Sequence, residues 1–230
     1  MLSLADPVQA TSTDHFFGPS ISEIHIEEVS RGKRPKALKH VIRAMENSVL
    51  GQNPDVPGTL PACKMLNLLQ ASGVRSVSGP RLQPEFRLRG EFNTALNSLA
   101  NEGPNSQFLA AALDELEDGL VWYSAKSGPF ASLNFERNHA HAVLGAPKTD
   151  SSDKVLLGIT IMAPYTRFPD YVLRLPRVMF PLSPGEYKSI SGEWKSHQIG
   201  SPIVCAAGRE FAMRCASHPL LSLWCQRLAT

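Results

Sequence analysis

Val155-Leu156-Leu157-Gly158-Ile159-Thr160-Ile161-Met162 is an unbroken apolar run, partly β-branched, closed by the turn residues Ala163-Pro164. Its upstream boundary is the turn-rich segment Gly145–Asp153. Short apolar runs between turn signals predict strands. Working outward, the same grammar repeats. Upstream, Val121–Tyr123 and Ala140–Leu144 flank the turn Lys126-Ser127-Gly128-Pro129. Downstream come Tyr171–Phe180, Glu186–Ile190, Ile203–Ala206, Phe211–Arg214 and Leu220–Arg227. Many short strands with regular turns predict a barrel or sandwich.

Before Leu120 the period changes. Leu38, Val41, Ile42, Met45 and Val49 recur at three- and four-residue spacing, which predicts a helix over 35–50 with Pro35 in its first turn and Gly51 at its stop. A short helix is expected over 61–72, stopped by Gly73, and another over 91–101 with Phe92, Leu96 and Leu99 inward. Ser106 reads as the N-cap of a further helix with Phe108, Leu109, Ala112, Leu113 and Leu116 on one side and Gly119 after its end. A short strand is expected around Ile21–Ile26. The chain therefore reads as a helical segment, 1–119, packed on a β-barrel, 120–230.

The composition narrows the function. A net charge of +2 with a pI near 8.4 demands neither nucleic acid nor an anionic membrane. Arg31, Lys33, Arg34, Lys36, Lys39 and Arg43 cluster without interleaved aromatics, so they read as a solvated helix face. The cysteines Cys63, Cys205, Cys215 and Cys225 form no CxxC pair and read as free thiols in a reducing compartment. The N-terminus lacks the features of a signal peptide, and no run reaches the roughly 18 apolar residues of a membrane span. A soluble, cytoplasmic protein is expected. No phosphate-binding glycine loop or G-x-S-x-G elbow is present.

Several segments share a wider pattern: Gly158–Asp170, Phe180-Pro181-Leu182-Ser183-Pro184-Gly185-Glu186-Tyr187, Gly192-Glu193-Trp194, Ala212-Met213-Arg214 and Pro219–Cys225. With Leu120–Tyr123 and Glu136–Ala140, they resemble the bacterial dimethylsulfoniopropionate (DMSP) lyases of the cupin superfamily. The resemblance implies a mainly β fold with N-terminal helices, a cupin (jelly-roll) barrel. It also implies a metal in the barrel, held by His-x-His, a Glu and a later His, with a tyrosinate that removes a proton beside a metal-anchored carboxylate. The matching positions here hold Tyr171, Leu173, Arg177, Met179 and Phe211, with Phe168 where the family has Tyr before the Pro-Asp step. None of these ligates a divalent ion well, and Arg177 brings a fixed positive charge to the place of a dication. No metal and no cofactor are expected.

Positions 171, 173, 177 and 179 share one parity and are expected to face one side of their strand. The pocket they imply is apolar, with one cation and one phenol. Tyr171, Arg177, His139 and His141 are the candidate catalytic residues. Leu173, Met179, Phe211, Phe168, Tyr165 and Trp224 are the candidate substrate-binding residues. The bland readings stand beside them: an ion pair from Arg177 to Glu186, Glu193 or Glu210, a packed tyrosine at 171, a structural or solvent-facing His139-Ala140-His141, and core or pocket-wall aromatics at Trp122, Tyr123 and Trp224. The expected function is metal-independent lyase, isomerase or cyclase chemistry on a small, fairly apolar carboxylate or carbonyl compound, with secondary metabolism as one setting. The alternatives are a non-catalytic ligand-binding or regulatory cupin, or a DMSP lyase with its metal relocated to His139 and His141. Nucleic acid and membrane are not expected partners. Exposed barrel sheets often pair, which leaves a homodimer open.

Overall fold

The computed structural model describes residues 36–53, 55–71, 86–145, 155–188 and 192–227. The expected strand at Ile21–Ile26 and the residues Arg31, Lys33, Arg34 and Ile190 lie outside them. Helices α1 (Lys36–Leu50), α2 (Thr59–Ala71), α3 (Arg89–Ala100) and α4 (Pro104–Glu117) come first. The strands follow: β1 (Trp122–Tyr123), β2 (His139–Gly145), β3 (Val155–Met162), β4 (Tyr171–Val172), β5 (Arg177–Pro181), β6 (Glu186–Lys188), β7 (Trp194–Ser196), β8 (Ile203–Cys205), β9 (Glu210–Arg214) and β10 (Leu220–Arg227).

In α1 the five residues of the apolar period are all buried. The α4 helix starts two residues before the expected cap. Pro104 takes the first turn, where its missing N–H costs nothing, and Gly103 precedes it with φ of 133°. Asn105, not Ser106, ties that end down, its amide donating to Ala44 O at 3.0 Å and Ser48 Oγ at 2.9 Å on α1. Phe108 corrects the expected inner face. It is 41 % exposed and lies against His40, because the buried stripe runs through Leu109, Ala110, Ala112 and Leu113. No helix among the described residues is long and apolar enough to cross a membrane.

Among the described residues all strand pairs are antiparallel and form two sheets, β1-β2-β3-β10-β5-β8 and β4-β9-β6-β7. The larger sheet is covered twice. On β3, Val155, Leu157, Ile159 and Ile161 join the helices in one apolar cluster, while Leu156 and Met162 join the smaller sheet in another. Burial on both faces is why β3 reads as a continuous apolar run and not an alternating one. Trp122 and Tyr123 divide in the same way. Trp122 stacks on Phe86 at 4.0 Å beneath the helices, and Tyr123 turns toward His141 inside the barrel.

One expected strand is broken. Tyr171–Phe180 is not continuous: β4 pairs with β9 in the smaller sheet, and β5 pairs with β10 and β8 in the larger. Pro176 supplies no N–H for a ladder, and the turn before it is held by Gly208 N–H donating to Leu173 O at 2.7 Å. The two sheets enclose one interior, the mainly β cupin barrel with N-terminal helices that the sequence leads one to expect.

Candidate functional site

Strand register assembles the interior in rows. Across the larger sheet, Tyr123 pairs with His141, His141 with Thr160, and Thr160 with Ser222. One row over, Val143 pairs with Gly158, Gly158 with Trp224, Trp224 with Met179, and Met179 with Ile203. A third row runs Leu156, Gln226, Arg177, Cys205. Tyr171, Tyr187, Phe211 and Met213 close the interior from the smaller sheet.

Arg177 is the charged centre of this space and is 2 % exposed. Its Nε donates to Gln226 Oε1 at 2.9 Å, and one terminal nitrogen donates to the same oxygen. The guanidinium lies 4.6 Å from the centre of the Trp224 ring, within cation–π range. Burial lowers its pKa, opposed by Tyr171, Cys205 and Tyr123 around it. The carboxylates the sequence offers as ion partners are occupied elsewhere: Glu186 with Arg214, Glu193 with Lys195, and Glu210 with Lys188. Burial pushes the Tyr171 phenol well above its ordinary range, against the pull of Arg177, so the group stays protonated at neutral pH. Burial likewise pushes the Cys205 thiol up to about 12, which keeps it from being a nucleophile.

Both histidines of the His139-Ala140-His141 motif point inward and are 0 % exposed. His139 is held by backbone on both ring nitrogens. Ala125 N–H donates to Nε2 at 2.7 Å, and Nδ1 lies 2.6 Å from Phe135 O. Since a backbone N–H only donates, Nδ1 carries the proton. Burial drops the His139 pKa to about 4. His141 sits deeper in the site, its Nδ1 2.7 Å from Thr160 Oγ1, and the Trp224 indole N–H donates to that same oxygen at 3.1 Å. Burial, then His139, then Arg177 hold the His141 pKa well below its ordinary value. Both rings are neutral at pH 7.

Aromatic edges fill the surround. Phe168 meets Phe135, His139, His141 and Tyr171 edge-on at centroid distances of 4.8–5.7 Å. Tyr171 in turn meets Phe211 at 5.5 Å. Tyr171, Arg177, His139, His141, Leu173, Met179, Phe211, Phe168 and Trp224 are thus brought to one interior. Tyr165 stands apart, 75 % exposed on the turn after β3 with φ of 59°. Thr160, Cys205 and Gln226 line the same interior without having been named as site candidates from the sequence, and Tyr123, read there as a core or pocket-wall aromatic, joins them. Parity was the signal for two of them: Thr160 shares the Gly158 side of β3 and Gln226 the Trp224 side of β10.

The donor set does not fit a divalent ion. Among the described residues no three His, Cys, Asp or Glu side chains converge. Both His139 nitrogens serve backbone groups, and a guanidinium occupies the interior where a cation would add like charge.

The comparisons with known proteins agree with this architecture. The DMSP lyase family (dimethylsulfoniopropionate lyase) matches residues 89–222, more than half of the chain. No curated protein matches. A solved structure from work on the DMSP lyases RdDddP and RnDddQII superimposes with a TM-score of 0.55 at 14% identity, over 84% of this chain and 93% of that one. DMSP lyase DddQ from Ruegeria pomeroyi DSS-3 superimposes with a TM-score of 0.52 at 14% identity, over 84% and 91%. The cupin-2 domain Rru_A2000 from Rhodospirillum rubrum aligns at 11% identity over 48% of this chain and 71% of that one, with a TM-score of 0.40. With the family match running from α3 into β10, and with the fold shared by solved DMSP lyases, the chain belongs to the DMSP lyase family.

Proposed function

We propose that the barrel interior carries out lyase, isomerase or cyclase chemistry on a small, fairly apolar carboxylate or carbonyl compound without a metal. The observation that carries this reading is the Arg177 guanidinium, buried over Trp224 and ringed by Tyr171, Tyr123 and Cys205. A substrate oxygen set against it gains negative charge as a neighbouring bond breaks or a proton leaves. A fixed cation in a dry site stabilises that charge strongly, because no water screens it and nothing has to reorganise. Tyr171 stays protonated and adds an O–H donor. Tyr171 moves the proton, and His141 is a neutral partner beside it. His139, held on both ring nitrogens, keeps the neighbouring aromatic edges in place. Leu173, Met179, Phe168, Phe211 and Trp224 supply the apolar walls. Tyr165 is assigned to the rim, as a contact for ligands that enter over that turn. A cytoplasmic setting suits the free thiols Cys205, Cys215 and Cys225, a homodimer through an exposed sheet is the proposed assembly, and a biosynthetic role fits the chemistry.

The test is thermal unfolding of wild type and Arg177→Met against a panel of small carboxylates and ketones. A binder at a hundred times its Kd stabilises wild type by about 2.7 kcal/mol. Arg177→Met is expected to keep its fold and lose that response together with any turnover. Equal binding by both proteins would retire Arg177 as the anchor. Binding with no ligand consumed would reassign the barrel as a non-catalytic sensor. Elemental analysis of the purified protein is expected to find no stoichiometric metal, and one zinc, iron or manganese per chain would overturn the metal-independent reading.

A further inference from the structure

The two histidines of β2 are held differently, and the difference determines what His141 can do. Thr160 Oγ1 has two polar neighbours among the described residues, the Trp224 indole N–H and His141 Nδ1. An indole N–H can only donate, so it takes one lone pair of the hydroxyl. The hydroxyl then has one proton to place, and His141 Nδ1 is the acceptor within reach. The opposite arrangement, with Nδ1–H donating to Thr160, leaves the hydroxyl proton buried without an acceptor. A buried hydroxyl proton left without an acceptor is destabilising, because its bond to water is not replaced. The chain therefore runs from Trp224 N–H to Thr160 O–H to His141 Nδ1, each bond polarising the next.

We propose that Thr160, oriented by Trp224, is a positioning residue that holds His141 as its Nε2–H tautomer. His141 then offers the barrel ligand a neutral hydrogen-bond donor and not a base. His139, two residues earlier on the same strand, carries its proton on Nδ1, so the pair has opposite tautomers. The ligand half of the proposal rests on the function proposed above; the tautomer half does not. With the donors of Arg177 and the protonated phenols of Tyr171 and Tyr123, the interior offers hydrogen to an oxygen that bears developing negative charge. Neutral imidazole is a competent electrophile toward a carbonyl for this reason. The substrate class that follows is an acceptor, such as a ketone, an ester or a carboxylate. A substrate with an ammonium at that position is disfavoured.

The test is long-range proton–nitrogen correlation NMR of histidine-labelled protein at pH 7. His141 is expected to show a bare, hydrogen-bonded Nδ1 and a protonated Nε2, and His139 the reverse. Thr160→Ser should keep that pattern. Thr160→Val should shift His141 toward the Nδ1–H form while His139 stays unchanged. A protonated His141 Nδ1 in wild type, or a Thr160→Val spectrum identical to wild type, overturns the assignment. Should Thr160→Val fail to fold, Trp224→Phe removes the indole donor, and the wild-type spectrum alone still decides the tautomer. The ligand half is read with benzoate as the probe. A shift of the His141 Nε2–H resonance in wild type that is lost in Arg177→Met supports it. An unmoved resonance with the tautomers as stated overturns the acceptor-ligand reading and leaves the Thr160 assignment standing.

Discussion

Gly158→Ala is expected to destabilise the protein by about 3 kcal/mol, at the upper end of what overpacking a core costs. A Cβ at this position would lie 2.1 Å from Trp224 Cζ2 and 2.4 Å from Cε2. Neither atom is the end of a flexible chain. The indole is 3 % exposed, its nitrogen is bonded to Thr160, and the Arg177 guanidinium lies over its ring. To admit one methyl group, the ring must leave both partners. For a chain of this size the cost amounts to a fall of roughly 6–12 °C in melting temperature. Calorimetry of Gly158→Ala, Trp224→Leu and the double variant checks it. Truncating Trp224 opens room for the methyl, so the double variant should lose less than the sum of the singles by more than about 1 kcal/mol. Strict additivity would mean that the glycine is not there to seat the indole.

Acid should unfold the protein earlier than its carboxylates alone would. His139 titrates near 6.5 in an unfolded chain and near 4 in the barrel, where burial opposes its charge. Between those values the unfolded state binds more protons than the folded state, so stability falls as pH drops. The loss begins near pH 6.5 and is complete as pH passes below about 4, where His139 alone removes about 3 kcal/mol. His141 is shifted in the same direction and adds to it. Urea unfolding between pH 7.5 and 4 measures this directly. His139→Gln starts less stable because it loses the paired backbone bonds at Ala125 and Phe135, yet its dependence on pH should be shallower. An unchanged slope in that variant would show that His139 is not buried as a neutral ring.

These two expectations sit on residues whose roles were legible to different depths. The apolar run of β3 and the three- and four-residue period of α1 are local patterns, and they placed a barrel behind a helical layer. His139-Ala140-His141 was visible as a pair of histidines on one side of a strand. Nothing local told that one ring would be tied at both nitrogens to the backbone of Ala125 and Phe135 and the other to a threonine hydroxyl. Gly158 looked like any glycine in an apolar strand, since its reason is a tryptophan 66 positions away in sequence and directly opposite in register.

The segment 171–180 shows where the boundary falls. Its parity named Tyr171, Leu173, Arg177 and Met179 as sharing a side, and all four are buried. They do not share a strand. The chain breaks before Pro176, crosses from one sheet to the other, and the four converge because the two sheets face a common interior. Side-chain alternation is a property of the backbone and survives in the sequence. The partners of those side chains are set by strand register across the fold: Gln226 reaches Arg177 over 49 positions, and Trp224 reaches Thr160 over 64. The sequence by itself therefore determined the barrel and its helices. Only the tertiary structure decided that a guanidinium, an indole, a hydroxyl and a neutral imidazole meet there, because their meeting depends on pairings between strands that no local pattern encodes.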